Sequence, residues 1–427
     1  RMAQSVKGMR DLYGSELRAF RLVEDTARAA FARHGYEEIR TPILEYAEVF
    51  KRSVGESSDI VNKEMYAFKD RGDREVVMRP ENTAAVVRAL IEHKLLGSSD
   101  PRLLFYIGPM FRYERMQAGR YRQFWQIGAE TFGIGSPESE AESLLLLFEI
   151  LKGLGLTQLK LSLNSVGTPE SRPAFYTAFR AFFQEREARF CEDCHRRIGE
   201  NPLRVLDCKN EKCQAALEGH PVITDYLDDS SRAHHARLKE LLAALAIPFE
   251  ENPRLVRGLD YYTRTAFEVL SSDLGAQSAL LGGGRYDGLV KQLGGPDTPA
   301  FGWAIGLDRL ATVTQQVRGE VPANPPALLV PLGATAAMEA MKLVQQWWDQ
   351  GLAVQLDTRG LALKKVLPSA DRLGIGTVLL LGEGELAEGI ITAKHLATGE
   401  QETWKLGEVP AKLACPEMPL HARHVRE

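Results

Sequence analysis

Alternation between hydrophobic and polar positions predicts a sheet covered by helices in the first half of the chain. Between residues 15 and 34 apolar side chains recur at helical spacing and stop at Gly35, which predicts an amphipathic helix. Residues 138–154 show a second helical pattern. Strand patterns occupy 75–79, 103–108 and 159–164. An antiparallel sheet flanked by helices is the simplest fold for this order of elements.

The pattern changes between residues 168 and 252, where helical spacing dominates. Four phenylalanines fall on one helical stripe, and an Ala/Leu-rich run follows at 238–247. We interpret 168–252 as a helix-rich insertion, with the sheet resuming at Arg257 and a strand at 264–270. The run from Gly282 to Gly288 is predicted to be a tight glycine-rich turn, and it lacks the context of a Rossmann or phosphate-binding loop.

A segment rich in proline, at 320–326, reads as a linker to a second domain. Strand and helix patterns then alternate, which predicts a small α/β domain with parallel strands at 327–427. The predicted elements are strands at 327–332, 353–356 and 377–381 and helices at 334–350 and 361–373. Residues 1–167 and 253–319 then form the first, larger domain.

Length, composition and charge favour a multidomain soluble protein and argue against a membrane protein or a globally basic nucleic-acid binder. A chain of 427 residues with 44% hydrophobic residues is long enough for two or three domains. No apolar run approaches the length of a membrane span, and no signal-peptide pattern opens the chain, so we expect a soluble cytoplasmic protein. A net charge of -4 argues against a globally basic nucleic-acid binder. It leaves room for a local basic surface, since phosphates are neutralised only where the nucleic acid lies.

The densest group of candidate functional residues lies between residues 111 and 130. If Arg112 and Glu114 lie on a strand, both point to one face, where the arginine can hold a phosphate and the glutamate can accept from an adenine amino group. After a turn through Gln117, Ala118 and Gly119, residues of one parity return on one face of the next strand: Arg120, Phe124, Gln126 and Glu130. A surface hairpin with solvated charges is the alternative.

Two further segments favour a nucleotide site over a surface hairpin. Residues 35–44 read as a helix exit into an extended strand, and residues 302–310 read as a small-residue strand followed by a helix that starts near Arg309. With the 111–130 segment, they resemble motifs 1, 2 and 3 of the class II aminoacyl-tRNA synthetases. Residues 79–83 (Arg-Pro-Glu-Asn-Thr) and 257–263 (Arg-Gly-Leu-Asp-Tyr-Tyr-Thr) resemble the signatures of the histidyl-tRNA synthetase family, and the resemblance begins at Lys7–Asp11.

The resemblance implies an α+β catalytic domain of the class II type, a helical insertion and a C-terminal α/β anticodon-binding domain. It implies ATP with Mg²⁺, L-histidine and tRNA(His) as reactants, formation of histidyl-adenylate, and a homodimer built through motif 1. No membrane partner is implied.

The resemblance also assigns residue roles. Arg112 and Arg257 are expected at the α-phosphate and Arg309 at the γ-phosphate, while Glu114 contacts adenine and Phe124 stacks on it. The remaining roles implied are Arg120 at ATP; Glu130 and Tyr262 at the imidazole; Glu81 and Thr83 at the α-amino group; Asn82, Gln126 and Tyr261 elsewhere in the histidine pocket; and Arg115, Met116, Gln117 and Arg120 near the tRNA acceptor end. A surface salt bridge is the alternative for each arginine, and a core position the alternative for each tyrosine.

Four cysteines in the insertion resemble a zinc ribbon: Cys191, Cys194, Cys208 and Cys213, with His195 as a spare ligand. Cys-x-x-Cys is good zinc spacing, whereas Cys208-x₄-Cys213 is looser than the usual knuckle. The family does not generally need a metal there, and cytoplasmic thiols stay reduced. We therefore expect metal-free thiols, with a structural zinc as the alternative. Cys415 has no partner in the sequence.

Two other functions compete with a synthetase. One is the regulatory paralogue of the histidine-biosynthesis phosphoribosyltransferase, a binding subunit with the same catalytic fold. It typically lacks the anticodon domain and departs from the Arg-Gly-Leu-Asp-Tyr-Tyr motif, and both are present here. The other is a non-catalytic RNA-binding or kinase-appended module, which the intact Arg112, Arg257 and Arg309 disfavour.

Overall fold

The chain divides into two compact units, residues 1–321 (unit 1) and 322–427 (unit 2). The computed structural model describes residues 3–55, 60–97, 100–114, 120–273, 278–323 and 325–413. Among these described residues, no helix has both the length and the apolar character needed to cross a membrane.

Unit 1 opens with a long helix and two hairpin-forming groups of strands. Its elements up to the predicted insertion are α1 Gly14–Arg33, β1 Glu37–Glu38, β2 Leu44–Tyr46, α2 Ala47–Val54, β3 Tyr66–Lys69, β4 Glu75–Met78, α3 Thr83–Glu92, β5 Arg102–Phe111, β6 Gln123–Phe132, α4 Pro137–Gly153 and β7 Leu159–Ser165. Helix α4 begins where Ser136 accepts a hydrogen bond from the Ser139 amide and proline occupies the first turn.

The rest of unit 1 is helical and then returns to strands. Its elements are α5 Arg172–Glu185, α6 Glu192–Glu200, α7 Leu203–Leu206, α8 Glu211–Ala216, α9 Asp229–Ala244, β8 Phe249–Glu251, β9 Thr263–Ser271, β10 Ser278–Arg285, α10 Leu289–Gln292, β11 Ala300–Gly306 and α11 Leu307–Arg318.

The main sheet has eight strands in the order β1-β5-β6-β11-β10-β9-β7-β8. Every neighbouring pair from β5 to β7 is antiparallel, which confirms the predicted antiparallel sheet. The two short edge strands β1 and β8 pair in parallel, so the whole sheet is mixed.

The two faces of the sheet have different roles. On one face α1, α4 and α11 bury the largest hydrophobic core, where Phe31 stacks on Phe105 with ring centroids 4.2 Å apart. Because side chains alternate along a strand, Leu104 and Tyr106 point to the opposite face. There they pack with α3 and α10, and this second face holds the candidate site.

Helices of the predicted insertion fall into two groups. Those from α5 to α8 enclose a separate core that includes Phe175, Phe179 and three of the cysteines. Helix α9 instead packs on the main core through Leu238 and Leu242, and β8 pairs with β7. The boundaries 168 and 252 stay a prediction.

The prediction of a turn at 282–288 was wrong for most of the run, since only Asp287 and Gly288 form a turn. Gly282, Gly283 and Gly284 lie inside strand β10, between β9 and β11. Glycine is needed there for close approach: a Cβ built on Gly283 would lie 2.7 Å from the Cα of Trp303. The sequence pattern of a turn and of a crowded central strand is the same at this position.

The predicted strand at 75–79 forms, but in a separate three-stranded sheet, β2-β4-β3. Cross-strand neighbours place Leu44 beside Met78 and Tyr46 beside Val76, which in turn neighbours Phe68. The side chains of Leu44, Tyr46 and Phe68 are 48%, 49% and 48% exposed, so this small sheet presents an apolar face to solvent.

Unit 2 is a five-stranded sheet with helices. Its elements are β12 Ala327–Leu332, α12 Ala334–Asp349, β13 Val354–Leu356, α13 Leu363–Arg372, β14 Thr377–Gly382, α14 Glu383–Glu388, β15 Ile390–His395, β16 Gln401–Lys405 and α15 Val409–Leu413. The three predicted strands β12, β13 and β14 pair in parallel as expected. Two further strands, β15 and β16, extend the sheet in antiparallel fashion and were not predicted.

Candidate active site

A cavity of about 730 Å³ opens beside the carboxyl-terminal end of β5 and the start of α11. All the residues predicted at ATP line it together with Arg257. The lining residues are Arg112, Glu114, Arg120, Tyr121, Phe124, Arg257, Leu280, Gly306, Asp308 and Arg309. Four arginines against two carboxyl groups make this a site for a polyanion.

Arg112 and Glu114 do not lie on a strand, so the premise of the parity argument was wrong. Strand β5 ends at Phe111, although the Arg112 amide still donates to the Arg122 carbonyl at 2.9 Å. Arg112 Nε donates to the Pro80 carbonyl at 2.8 Å. This bond ties the arginine to the Arg-Pro-Glu-Asn-Thr segment and fixes where its guanidinium points.

The nucleotide-binding candidates form a connected group. The Arg112 guanidinium lies 5.2 Å from the centroid of the Phe124 ring, and its Nη1 is 3.8 Å from a Glu114 oxygen. Arg120 approaches the other Glu114 oxygen at 3.6 Å. Residues Arg115, Met116 and Gln117 lie outside the described residues, so their predicted position is left open.

Arg257 reaches the cavity from the segment before β9. Its Nη1 donates to Glu268 at 2.7 Å, which holds the guanidinium over the sheet. A Cβ built on Gly282 would lie 2.5 Å from Arg257 Cζ, so only glycine leaves room for it. Within the described chain, Arg257 Nε is buried and has no hydrogen-bond partner.

The start of α11 is braced by an arginine whose role the sequence did not single out. Asp308 accepts from Arg10 Nη2 and from the Trp125 amide, both at 2.7 Å. Arg10 also lies over the Tyr121 ring at 3.9 Å. The N-terminal segment thereby fixes the helix turn that carries Arg309. The sequence feature that could have identified Arg10 is the family resemblance at Lys7–Asp11, which contains it.

The residues predicted to bind histidine form a second, buried group on the same face of the sheet, around Glu130, and we refer to this group as the second pocket. Thr83 Oγ1 donates to one Glu130 oxygen at 2.7 Å, and the Tyr286 hydroxyl donates to the other. Burial nevertheless raises the pKa of Glu130 to about 8, and the nearby Glu81 adds to the shift. A Cβ built on Gly302 would lie 2.8 Å from the Glu130 carboxyl carbon, which explains the glycine on β11.

Tyrosines form the wall of this pocket. Tyr261 and Tyr262 lie with ring centroids 4.8 Å apart, and Tyr261 meets Tyr286 edge-on at 5.5 Å. Burial raises the pKa of Tyr262, so its hydroxyl remains protonated at neutral pH. Tyr286 lies inside the glycine-rich run at 282–288, which was interpreted as a turn, and it was therefore not singled out as a pocket residue.

The segment before α3 supplies further polar groups. Glu81 is buried and accepts from the amides of Thr83 and Ala84 at 2.6 and 3.1 Å, so it caps the start of α3. Burial raises the pKa of Glu81. Asn82 Oδ1 instead accepts from Thr41 at 2.7 Å, which directs its amide toward the motif 1 segment.

Gln126 and the glycines of β10 connect the two pockets. Gln126 Oε1 is buried and has no hydrogen-bond partner within the described chain, so it can receive one from a ligand. A Cβ on Gly284 would lie 2.9 Å from the Tyr262 ring, as one on Gly282 would touch Arg257. Gly282 and Gly284 are two residues apart on β10 and therefore point to the same face of the sheet. This strand thus forms a shared floor under the arginine-lined cavity and the second pocket.

Comparison with known proteins gives the same two-part division of the chain. A family model described as Histidyl-tRNA synthetase matches residues 8–310, and one described as Anticodon binding domain matches residues 327–415. The histidine–tRNA ligase of Halothermothrix orenii is 44% identical over 92% of this chain and 95% of its own length. That of Desulfitobacterium hafniense is 46% identical over 93% and 94%.

Solved structures agree. The apo histidyl-tRNA synthetase of S. aureus is 36% identical, with a TM-score of 0.81 over 96% of this chain and 100% of its own. A structure from Bacillus halodurans C described as an ATP phosphoribosyltransferase regulatory subunit/histidyl-tRNA synthetase is 21% identical at a TM-score of 0.66, which supports the fold alone. The chain therefore belongs to the histidyl-tRNA synthetase family, the class II aminoacyl-tRNA synthetases that join histidine to tRNA.

Proposed function

We propose that this chain activates L-histidine with ATP and transfers the histidyl group to the 3′ end of tRNA(His), using the two pockets described above. The observation that carries the assignment is the shared floor of strand β10. It brings an arginine-lined cavity next to a buried Glu130–Tyr262 pocket, as required for a reaction between a nucleotide and a small amino acid.

In the first step the histidine carboxylate attacks the α-phosphorus of ATP. One carboxylate oxygen–phosphorus bond forms, the bond to the bridging oxygen breaks, and pyrophosphate leaves. The reaction asks the protein for position and positive charge rather than covalent chemistry. Arg112 and Arg257 are the groups we assign to the α-phosphate, and Arg309 to the γ-phosphate. Glu114 and Phe124 then bind adenine. The base stacks on the Phe124 ring, which the Arg112 guanidinium faces in this structure.

Histidine is selected by polar groups that match its imidazole. Glu130 accepts from one ring N–H, and the protonated Tyr262 hydroxyl serves the other nitrogen. The entering N–H is a third donor to Glu130, which favours the ionised carboxyl despite its burial. Glu81 and Thr83 bind the α-amino group, and Gln126 and Tyr261 close the pocket. Such a site rejects analogues lacking the hydrogen-bonding group by ~10⁴–10⁵, so no editing domain is needed.

We propose that Mg²⁺ enters with ATP as part of the substrate. Mg²⁺ in such sites binds mostly phosphate oxygens and water, with one or two carboxylates. The carboxyl groups lining the cavity are already engaged, since Glu114 approaches two arginines and Asp308 accepts from Arg10. The chain thus contributes arginines that bind the phosphates, and Mg²⁺ is held by the ATP phosphates and water rather than by protein carboxylates.

In the second step the histidyl group moves from the adenylate to a hydroxyl of the terminal adenosine, and AMP leaves. Arg120 is the described residue that we place near the acceptor end. No catalytic base is assigned. Unit 2, which the anticodon-binding family model matches, is proposed to bind the anticodon. We propose a cytoplasmic location, where ATP and tRNA are both available.

We also propose a homodimer formed through motif 1. The supporting feature is the exposed apolar face of the β2-β4-β3 sheet, which includes the motif 1 residue Leu44 and, two positions further on, Tyr46. A second copy of the chain would cover this face, because identical apolar surfaces can pair about a twofold axis.

The test is amino-acid-dependent exchange of pyrophosphate into ATP, run with each of the twenty amino acids and with Arg257→Ala alongside. Exchange with histidine only, largely lost in the variant, is expected. Absence of exchange in a folded protein that still binds histidine would instead indicate the regulatory paralogue.

A further inference from the structure

We propose that four cysteines in the helical segment bind one structural zinc ion, which holds in place the segment that carries Arg257. The sulfur atoms of these residues all lie within 4.8 Å of one another. The cluster, here called the cysteine cluster, consists of Cys191, Cys194, Cys208 and Cys213. It lies outside the substrate pockets and has no part in the proposed reaction steps.

The spacing of the sulfurs suits a single ion. Tetrahedral zinc with bonds of about 2.3 Å places its sulfur ligands roughly 3.8 Å apart. The sulfurs of Cys191 and Cys208 are 3.8 Å apart, and the four cysteines are free thiols rather than disulfides. In an iron–sulfur cluster, several iron and sulfide atoms separate the thiolates, which demands a wider arrangement.

Local structure explains how the loose Cys208-x₄-Cys213 spacing still brings the sulfurs together. Cys191 is the residue before α6, and Cys194 lies in the first turn of that helix. Asn210 caps the short helix α8, which turns Cys213 back toward the others. The expectation of metal-free thiols rested partly on this spacing, and α8 removes that objection.

Backbone amides already point at two of the sulfurs. The Cys191 amide donates to Cys213 Sγ at 3.2 Å, and the Asn210 amide donates to Cys208 Sγ at 3.5 Å. Such N–H groups neutralise the charge of thiolate ligands around a metal. The first bond also joins the two halves of the cluster.

The surroundings fit a structural rather than a catalytic metal. Cys194, Cys208 and Cys213 are buried among phenylalanine and leucine side chains, including Phe183 and Leu206. Four protein ligands leave no open position for a substrate. His195, the predicted spare ligand, lies outside the cluster: its ring meets Phe183 edge-on, and its Nδ1 is 3.7 Å from Glu187.

Residues between and beside the cysteines hold the Arg257 segment. Asn201 Nδ2 donates to Asp260 at 3.0 Å, and Arg204 Nη1 donates to the Arg257 carbonyl at 3.2 Å. On the other side, Arg254 Nη1 donates to Gln214, the neighbour of Cys213, at 3.0 Å. A zinc ion that fixes α6 and α8 thereby fixes the backbone on both sides of Arg257.

The first experiment measures zinc and iron by mass spectrometry in the full-length protein, purified under reducing conditions without added metal. We expect about one zinc per chain in the wild type and in the control variant Cys415→Ser, with most of it lost in Cys194→Ser. Equal zinc in Cys194→Ser, or iron in place of zinc, would overturn the proposal.

A second measurement avoids variants that fail to fold. The wild-type thiols are titrated with a mercurial reagent while a colorimetric indicator follows zinc release. Release in step with about four thiols per chain is expected. A protein that neither contains zinc nor takes it up when reduced, or whose cysteines are found as disulfides after denaturation, contradicts the zinc site.

Activity separates this proposal from the proposed function. Loss of zinc is expected to lower kcat for histidine-dependent exchange and also to raise KM for histidine, because the segment held by Asn201 and Arg204 carries Arg257 and leads directly into Tyr261 and Tyr262 of the histidine pocket. A protein that holds zinc but shows no exchange would contradict the proposed function and leave the zinc site standing.

Discussion

At the scale of single residues, the most unusual group is the Glu130 carboxyl, which is buried in the unliganded pocket. Desolvation outweighs the hydroxyl bonds from Thr83 and Tyr286, so the pKa rises from 4.5 to about 8. In the unfolded chain the same carboxyl releases its proton near its ordinary pKa. The folded protein therefore binds the proton more tightly than the unfolded one between these two values.

The first prediction follows from that difference. As pH rises from about 4.5 to about 8, Glu130 lowers the free energy of unfolding by roughly 1.4 kcal/mol per pH unit. Glu130→Gln removes this slope, so the variant gains stability relative to wild type between pH 6 and 8. Urea unfolding of both proteins at the two pH values measures the change. An unchanged difference would mean that Glu130 is ionised throughout.

Arg257 carries the second prediction. Arg257→Ala is expected to lower kcat for histidine-dependent exchange by ~10²–10³, because a fixed cation at the α-phosphate is lost. Arg257→Lys keeps the positive charge but lacks the planar guanidinium that can bind two phosphate oxygens at once, so we expect it to recover only part of the rate. The control is Arg33→Ala, an exposed arginine paired with Glu149, which we expect to be silent. Equal rates for wild type and Arg257→Ala would remove this residue from the mechanism.

Most of the residues in the candidate site were predicted from the sequence, and those that were not were missed for a physical reason. Period-two spacing placed Arg120, Phe124, Gln126 and Glu130 on one face of a strand. The last three lie on β6, whereas Arg120 lies before its start at Gln123. Tyr286 escaped because its contact with Glu130 spans 156 positions of the chain and depends on the order of strands in the sheet. Single-sequence patterns report local periodicity and not which strands become neighbours.

At the scale of elements, β10 shows why glycine patterns are ambiguous. Its glycines serve two different purposes: Gly283 faces the backbone of β11, whereas Gly282 faces the side chain of Arg257. Adding a methyl group at Gly283 must displace backbone. The same change at Gly282 only has to displace the end of a long side chain.

The third prediction exploits this contrast. Gly282→Ala should leave the free energy of unfolding nearly unchanged yet lower exchange by about 10²-fold, because the Arg257 guanidinium is moved. Gly283→Ala should instead destabilise the fold by about 1–3 kcal/mol through overpacking. The control is Gly288→Ala, where a Cβ meets nothing within 4 Å. Thermal unfolding and exchange rates are measured for all three, and full activity in Gly282→Ala would refute the proposed close approach.

The small β2-β4-β3 sheet carries the fourth prediction. Replacing two exposed residues by charges, Leu44→Asp with Phe68→Asp, is expected to dissociate the proposed homodimer, because an apolar interface would have to bury both carboxylates. Sedimentation velocity gives the mass. The matched control is Met338→Asp, also on an exposed apolar residue (64%) but in unit 2. A wild-type protein that sediments as a monomer contradicts the dimer.

For the whole molecule, the order of hydrophobic patterns was sufficient to predict the antiparallel part of the main sheet and the parallel part of the unit 2 sheet, but not the separate β2-β4-β3 sheet. Long helices and strands such as α1 and β12 were predicted closely, since their cores impose a regular period. Strands β15 and β16, which extend the unit 2 sheet beyond β14, were not predicted. The parallel edge strands β1 and β8 have only two and three residues, too few to show a period, and they turn an antiparallel expectation into a mixed sheet.

The two units have separate cores. The largest core of unit 1 and the core around Tyr106 and Tyr286 use residues before 321, whereas the cores around Leu329 and Val366 use residues after 326. Every described side chain that we assign to ATP or histidine belongs to unit 1. Adenylate formation and tRNA binding are therefore expected to be separable.

The fifth prediction tests that separation with a fragment of residues 1–321. It should keep histidine-dependent pyrophosphate exchange within about tenfold of the full chain, because all the contacts around Arg257 and Glu130 are retained. Charging of tRNA(His) should fall far more, through a raised KM for tRNA, since contacts proposed at the anticodon are lost. Circular dichroism of the fragment checks that it is folded. A folded fragment that loses exchange, or one that charges tRNA as well as the full chain does, would show that the two units do not divide the reaction in this way.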